Sequence, residues 1–264
     1  MNMAKRLIAG LLMLFAWHAQ AADWEESRAV GELFKAAGLT GTFVLYDVSQ
    51  QQLIGHDRSR AEKRFIPAST FKIPNTLIGL STGAVENVDE VLPYGGKPQR
   101  FKFWEKDMSL RDAIKISNVP VYQELARRIG LERMREQVAT LGYGNKEIGN
   151  VVDNFWLVGP LKISAIEQVR FLARLAQDEL PFPSVIQHSV REIVLVDQGE
   201  NWTLYAKSGW GGDTMPEIGW WVGWVQKEGR IYAFALNADL WQAADADKRA
   251  PLARASLKAL GILP

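Results

Sequence analysis

Hydrophobic and polar positions change their period twice along the chain, and those changes predict its layout. Val30, Leu33, Phe34 and Ala37 recur at helical spacing and stop at Gly38, which predicts a first helix over 25–37. Gly41–Val48 and Gln52–His56 then alternate as short strands around the polar Ser49-Gln50-Gln51, the pattern of a hairpin. The apolar run Phe65-Ile66-Pro67-Ala68 leads into a helix that starts at or just after Ser69, because Pro74 is tolerated only where backbone N–H groups lack intrahelical partners. Thr82–Lys97, rich in Gly, Pro and acids, predicts an exposed loop region.

The middle of the chain reads as helical. Ser109-Leu110-Arg111-Asp112 has the form of a capping box and predicts a helix running toward Ser117. Pro120 opens the next helix, which Gly130 ends, and Leu131–Leu141 forms another ahead of Gly142. Ser164–Gln177 follows, closed by Pro181-Phe182-Pro183. From Arg191 the period returns to two: Glu192–Val196, Trp202–Lys207, Ile218–Gln226 and Ile231–Ala238 read as strands, before a last helix over Asp247–Leu260. Strands at both ends of a helical insert predict an α/β fold of the α+β sandwich type. An antiparallel sheet is flanked by N- and C-terminal helices and carries an inserted, mainly helical subdomain over roughly 80–185.

Composition narrows the function classes. The 264 residues, 47% hydrophobic, can bury a large core, and no repeat or long linker divides them. Met1–Ala21 has the form of a secretory signal peptide: Lys5 and Arg6 precede the apolar run Leu7–Trp17, and Ala19-Gln20-Ala21 supplies small residues for cleavage. That run is too short to span a bilayer, so an exported mature chain over 22–264 is expected, without a stable membrane anchor. Removing the segment takes away two basic residues and no acid, moving the formal net charge from +1 to −1, which argues against a nucleic-acid partner. With no cysteine there are no disulfides or thiolate chemistry, and only His56 and His188 follow the leader, so no metal site is expected.

The candidate chemistry centres on Ser69-Thr70-Phe71-Lys72. Positions i and i+3 share a helical face, so the pair is a hydroxyl nucleophile beside an amine. A serine N-cap followed by a solvated lysine has the same pattern. The apolar neighbours Phe65, Ile66, Phe71 and Ile73 favour the catalytic reading, since burial keeps an amine neutral and reactive. Three more short motifs fall where loops can converge on Ser69: Ser117-Asn118-Val119 between two helices, Tyr143-Gly144-Asn145 after a helix end, and Lys207-Ser208-Gly209 at the end of a strand. Each alone is also an ordinary turn.

Taken in order, S-x-x-K, S-x-V, Y-G-N, Phe155-Trp156-Leu157-x-Gly159, K-[ST]-G and Gly219-Trp220-Trp221-Val222-Gly223-Trp224 resemble the class D (oxacillinase-type) serine β-lactamases of the penicillin-recognising fold. The resemblance runs from about Trp24 to the C-terminus, and Ser208 stands where the family usually has threonine. It implies a β-lactam substrate, hydrolysis through an acyl-enzyme on Ser69, and a carbamate formed from CO2 on Lys72 as general base, with no other cofactor. By the same resemblance Trp156 would donate its indole N–H to the carbamate, under an apolar lid of Val119 and Leu157. Ser117 would relay a proton to the leaving nitrogen with Lys207 adjusting it electrostatically, the backbone N–H groups of Ser69 and Trp210 would form the oxyanion hole, and Ser208 and Arg249 would hold the substrate carboxylate, with Gly209 also in the substrate-binding set. Asn145 reads as structural. An exported enzyme of this kind would act in the periplasm.

Two rivals share parts of these observations. Gly79-Leu80-Ser81-Thr82-Gly83 matches the G-x-S-x-G elbow of α/β-hydrolases, with His188 later in the chain; that elbow requires a strand before it, and the pattern there is helical. Within the same fold, a penicillin-binding D,D-peptidase or a non-hydrolysing penicillin sensor module would acylate without turning over.

Overall fold

The fold is built on a seven-stranded sheet. The structure, a computed structural model, describes residues 24–213 and 215–264; the expected signal peptide over 1–21 lies outside them. In chain order the elements are β1 (Trp24–Glu26), α1 (Arg28–Ala37), β2 (Gly41–Asp47), β3 (Gln52–His56), α2 (Arg58–Glu62), a 3-10 turn (Ala68–Phe71) and α3 (Lys72–Ser81). The helical part continues with β4 (Val91–Leu92), a short 3-10 turn (Lys102–Trp104), β5 (Met108–Ser109), α4 (Leu110–Lys115), α5 (Val119–Ile129), α6 (Leu131–Leu141), α7 (Ala165–Ala176) and α8 (Ser184–Ile193). The chain closes with β6 (Leu195–Gln198), β7 (Trp202–Gly211), β8 (Glu217–Lys227), β9 (Arg230–Leu240) and α9 (Asp245–Ala259).

The sheet order is β1-β3-β2-β9-β8-β7-β6, antiparallel throughout except for the parallel β1–β3 pair. Strand period explains how this one sheet serves two cores. On β8, Trp221 and Val225 face α1 and α9, joining Phe34, Phe43, Phe234, Leu252 and Leu257. The intervening Trp220, Val222 and Trp224 face the helical side, joining Phe71, Leu77, Tyr122, Trp156 and Val169. The run of three tryptophans is therefore a strand buried on both faces.

Three expectations need correction. The first helix begins at Arg28 rather than residue 25: Trp24, Glu25 and Glu26 pair in parallel with Leu53, Ile54 and Gly55, and Ser27 caps the helix by accepting from the Val30 N–H at 3.4 Å. A three-residue edge strand is too short to show a period. The predicted strand over 192–196 is in part the end of α8, so helix runs to Ile193 and β6 starts at Leu195. The polar residue on the inner face of α8 hid it: Gln187 is buried and joined to Leu180 N (3.2 Å), Leu180 O (3.1 Å) and Phe182 O (2.8 Å), so it locks the preceding proline-rich turn. Inside the region read as loop, Val91–Leu92 pairs with Met108–Ser109.

The capping chemistry also differs in place. Ser109 accepts from the Asp112 N–H at 3.2 Å, but the reciprocal capping box forms at Ser164 and Glu167.

Candidate active site

Ser69 sits within the 3-10 turn and Lys72 is the first residue of α3, so the two side chains nearly eclipse, as i and i+3 do in 3-10 geometry. Lys72 Nζ lies 2.8 Å from Ser69 Oγ. Pro74 falls in the first turn of α3, where its missing N–H costs nothing. Both side chains are buried, Lys72 at 1% exposure. Among the described residues no carboxylate pairs with Lys72; its amine lies 5.2 Å from the centre of the Tyr122 ring. Burial, and secondarily the charge of Lys207, hold its pKa well below the usual lysine value.

The backbone around this pair is held in place. Ala68 has φ of 48°, in the left-handed region that a non-glycine residue adopts only under tertiary constraint. The constraint is visible: the Ala68 N–H donates to the Trp156 carbonyl at 2.9 Å, and the Thr70 hydroxyl, donating to Pro67 O at 2.7 Å, receives Gln168 Nε2 at 2.9 Å. Phe71 stacks on Trp156 at 5.5 Å and meets Phe155 edge-on at 5.0 Å. Trp156 is fully buried, and its indole N–H has no partner within the chain. A buried donor of this kind costs free energy unless something accepts from it.

Across the cleft Ser117, with φ of 55°, forms the kink between α4 and α5. Asn118 fixes that kink by accepting from the Val121 N–H at 3.1 Å and donating to Trp104 O at 3.2 Å. Lys207 Nζ is hydrogen-bonded to Ser117 Oγ and to Ser208 O at 2.9 Å, with Ser208 Oγ at 3.3 Å. Burial first, and the Arg249 charge second, lower its pKa to about 7. Two amines and three hydroxyls, those of Ser69, Ser117 and Ser208, thus converge from the 3-10 turn, α3, the α4–α5 kink and β7.

β7 adds backbone donors. The Ala206 N–H points outward to Val194 O at 2.9 Å, and N–H directions alternate along a strand, so the Ser208 and Trp210 N–H groups face the same edge beyond the end of β6. The turn carrying Ser69 packs at that edge, and Gly209 permits it: a Cβ there would lie 3.0 Å from Pro67 O and 3.1 Å from Thr70 Cγ2. Arg249 reaches from α9 to the Gly209 carbonyl, passing over Gly219, where a Cβ would meet its Cδ at 2.8 Å. Its guanidinium is lowered to about 10 by burial.

The cleft, about 460 Å³, is lined by Ser69, Ser117, Val119, Ser208, Trp210 and Arg249 together with residues not anticipated from the sequence, chiefly Arg100, Phe101, Trp104 and Lys115. Nothing in the period of the 93–107 loop marks the first three, and Lys115 at the end of α4 reads as a solvated helix residue; only the tertiary fold brings them to the cleft of Ser69. Leu157 is half-buried behind the cleft, its carbonyl near Gly211. Asn145 is structural: it bonds Pro160 O at 3.0 Å and the Lys162 N–H at 2.9 Å, tying its turn to the segment that carries Trp156. Ser81 lies at the end of α3 with its hydroxyl on Ile78 O at 3.0 Å, and no strand precedes it, so the elbow geometry is not met. A somewhat larger cleft, about 540 Å³, lies elsewhere, but its Arg58–Glu62 and Arg64–Glu167 pairs neutralise one another, and its Ser164 hydroxyl and Glu167 carboxylate are committed to the capping box of α7.

The sheet, the helical insert and a buried serine–lysine pair facing a second serine–lysine pair define a penicillin-recognising acyl-transfer enzyme. Residues 41–258 match the family described as the penicillin binding protein transpeptidase domain. Over 237 residues the chain is 39% identical to β-lactamase OXA-10 of Pseudomonas aeruginosa, covering 89% of this chain and 88% of that one. It is 37% identical to β-lactamase OXA-48 of Klebsiella pneumoniae over 246 residues, 93% of each chain. The crystal structure of FUS-1 (OXA-85), a class D β-lactamase from Fusobacterium nucleatum subsp. polymorphum, superposes with a TM-score of 0.88 at 44% identity, covering 91% of this chain and 100% of that one. The chain belongs to the class D serine β-lactamases, and its reaction is β-lactam hydrolysis by a serine enzyme.

Proposed function

We propose that the chain hydrolyses the β-lactam amide through an acyl-enzyme on Ser69, with Lys72 acting in its carbamylated form, and that this activity confers β-lactam resistance in the periplasm. The observation that carries the reading is the buried, carboxylate-free Lys72 amine 2.8 Å from Ser69 Oγ. An amine kept neutral by burial is the form that adds CO2, and the unpartnered indole N–H of Trp156, close behind Phe71, suits a group with oxygen acceptors at the end of Lys72. The carbamate would supply an oxygen base at that position.

The chain's own residues carry the rest. Ser69 Oγ attacks the lactam carbonyl and forms an ester, while the developing oxyanion sits between the N–H groups of Ser69 and Trp210. The C–N bond breaks, and Ser117, with Lys207 on its far side, passes a proton to the departing nitrogen. Ser208 and Arg249 hold the substrate carboxylate; Gly209 takes part through its backbone, pressed between the turn and Arg249. Val119 and Leu157 keep bulk water from the Lys72 side, and one water then hydrolyses the ester and frees Ser69. Among the described residues no group of three or more metal-ligating side chains converges.

The test is steady-state hydrolysis of benzylpenicillin in CO2-depleted buffer with and without added bicarbonate, alongside carbon-13 spectra of protein equilibrated with labelled bicarbonate. Activity that rises with bicarbonate and a carbamate resonance absent from Lys72→Ala are expected. Turnover that ignores bicarbonate would sink the carbamate. A single stable adduct per chain would indicate a peptidase or a sensor module instead.

A further inference from the structure

Two cations lining the cleft, Arg100 and Lys115, are not used by the reaction. Arg100 is exposed on the loop between β4 and β5, and its guanidinium is stacked between two rings, 4.8 Å from the centre of Trp210 and 5.4 Å from that of Phe101. Among the described residues it forms no salt bridge. On the facing strand Glu217 accepts the Trp210 indole N–H at 2.8 Å and forms no salt bridge with Arg100. The rings that hold it are themselves fixed: Phe101 stacks on Phe103 at 5.2 Å and meets Trp104 edge-on at 4.8 Å, and the Trp104 indole donates to Ile116 O at 3.1 Å. A long, flexible side chain is therefore held across the mouth of the cleft with its charge free.

The charge of the cleft gives this position a meaning. Arg100, Lys115 and Arg249 line it, and among the described residues no Asp or Glu does, although the whole chain carries 31 basic and 30 acidic side chains. Arg249 is committed to the Gly209 carbonyl and the substrate's ring carboxylate, and Lys115 has Asp112 at 3.4 Å. Arg100 alone is free, and it rests on the ring of Trp210, whose backbone N–H faces the reacting carbonyl in the reading above. In a penicillin, the carbon next to that carbonyl bears the acylamino side chain. We infer that Arg100 is a specificity-determining residue, a ring-held guanidinium that selects β-lactams whose acyl side chain carries a second carboxylate. It acts by a planar, two-pronged contact with that carboxylate, and the aromatic stack reduces the ordering needed to form it.

This inference rests on the chain hydrolysing β-lactams, and three penicillins separate the two claims. Carbenicillin is benzylpenicillin with a carboxylate added to the side chain, and ampicillin adds an ammonium at the same carbon. Arg100→Ala is expected to lower kcat/KM for carbenicillin by about three- to tenfold relative to benzylpenicillin, mainly through KM, and to raise that for ampicillin relative to benzylpenicillin. Arg100→Lys keeps the charge without the fork and is expected to fall between. The wild-type preference for carbenicillin should also weaken with added salt, and the alanine variant should lose that dependence. If carbenicillin and ampicillin move together, Arg100 acts by bulk and the inference is overturned, as it is if neither ratio moves while benzylpenicillin is still hydrolysed. No turnover of any of the three by the wild type would overturn the hydrolase reading itself.

Discussion

Two lysines in this site, Lys72 and Lys207, lie where lysines are seldom found, buried and, among the described residues, without a carboxylate partner. Their burial costs stability and makes them reactive, and the two effects can be separated. Lys72→Met keeps the volume and removes the amine: hydrolysis should fall by about 10²–10⁴-fold while the melting temperature holds or rises. A variant that lost both together would show that Lys72 is chiefly structural. Lys207 gives a pH signature. An unfolded lysine keeps its proton to about pH 10.4, whereas folded Lys207 releases it near 7. Between those values the unfolded chain binds more protons at this group, so stability rises with pH, by at most about 1.4 kcal/mol per unit. Lys72, shifted in the same direction, adds to the effect. Urea titrations at several pH values should show Lys207→Met with a shallower rise than the wild type; parallel curves would refute the assignment.

At the scale of elements, the site depends on a strand edge lying flush against a 3-10 turn. Gly209→Ala places a methyl 3.0 Å from Pro67 O and 3.1 Å from the Trp220 Cβ, neither of which can yield without moving backbone. A loss of about 1–3 kcal/mol of stability is expected. The fall in kcat should exceed what unfolding accounts for, because the Trp210 N–H would be displaced from Ser69; kcat measured well below the melting temperature checks this. The same elements show what could be read in advance. The hairpin over 41–56, the helices around Gly130 and Gly142, and the three long C-terminal strands follow from period and capping glycines alone. α8 did not, because a buried glutamine on its inner face breaks the apolar stripe, and β1 did not, because three residues cannot display a period.

For the whole molecule, β2, β8 and β9 each bury side chains in both cores, so neither core can come apart alone. Thermal loss of hydrolysis, near-ultraviolet tryptophan signal and far-ultraviolet signal should therefore coincide in one transition. Activity lost well before the tryptophan signal would show the helical side opening independently. The sequence alone determined the Ser69–Lys72 pair, because i and i+3 meet in any helical turn, and the order of motifs that marks the family. Only the tertiary structure decided that Ser117 and Lys207, 90 positions apart, share a proton-bearing contact, that Arg249 crosses the sheet over Gly219, and that Arg100 lies on Trp210. Periodicity encodes which face a residue takes on its own element, whereas contacts between distant elements depend on how whole faces pack, and no local pattern carries that.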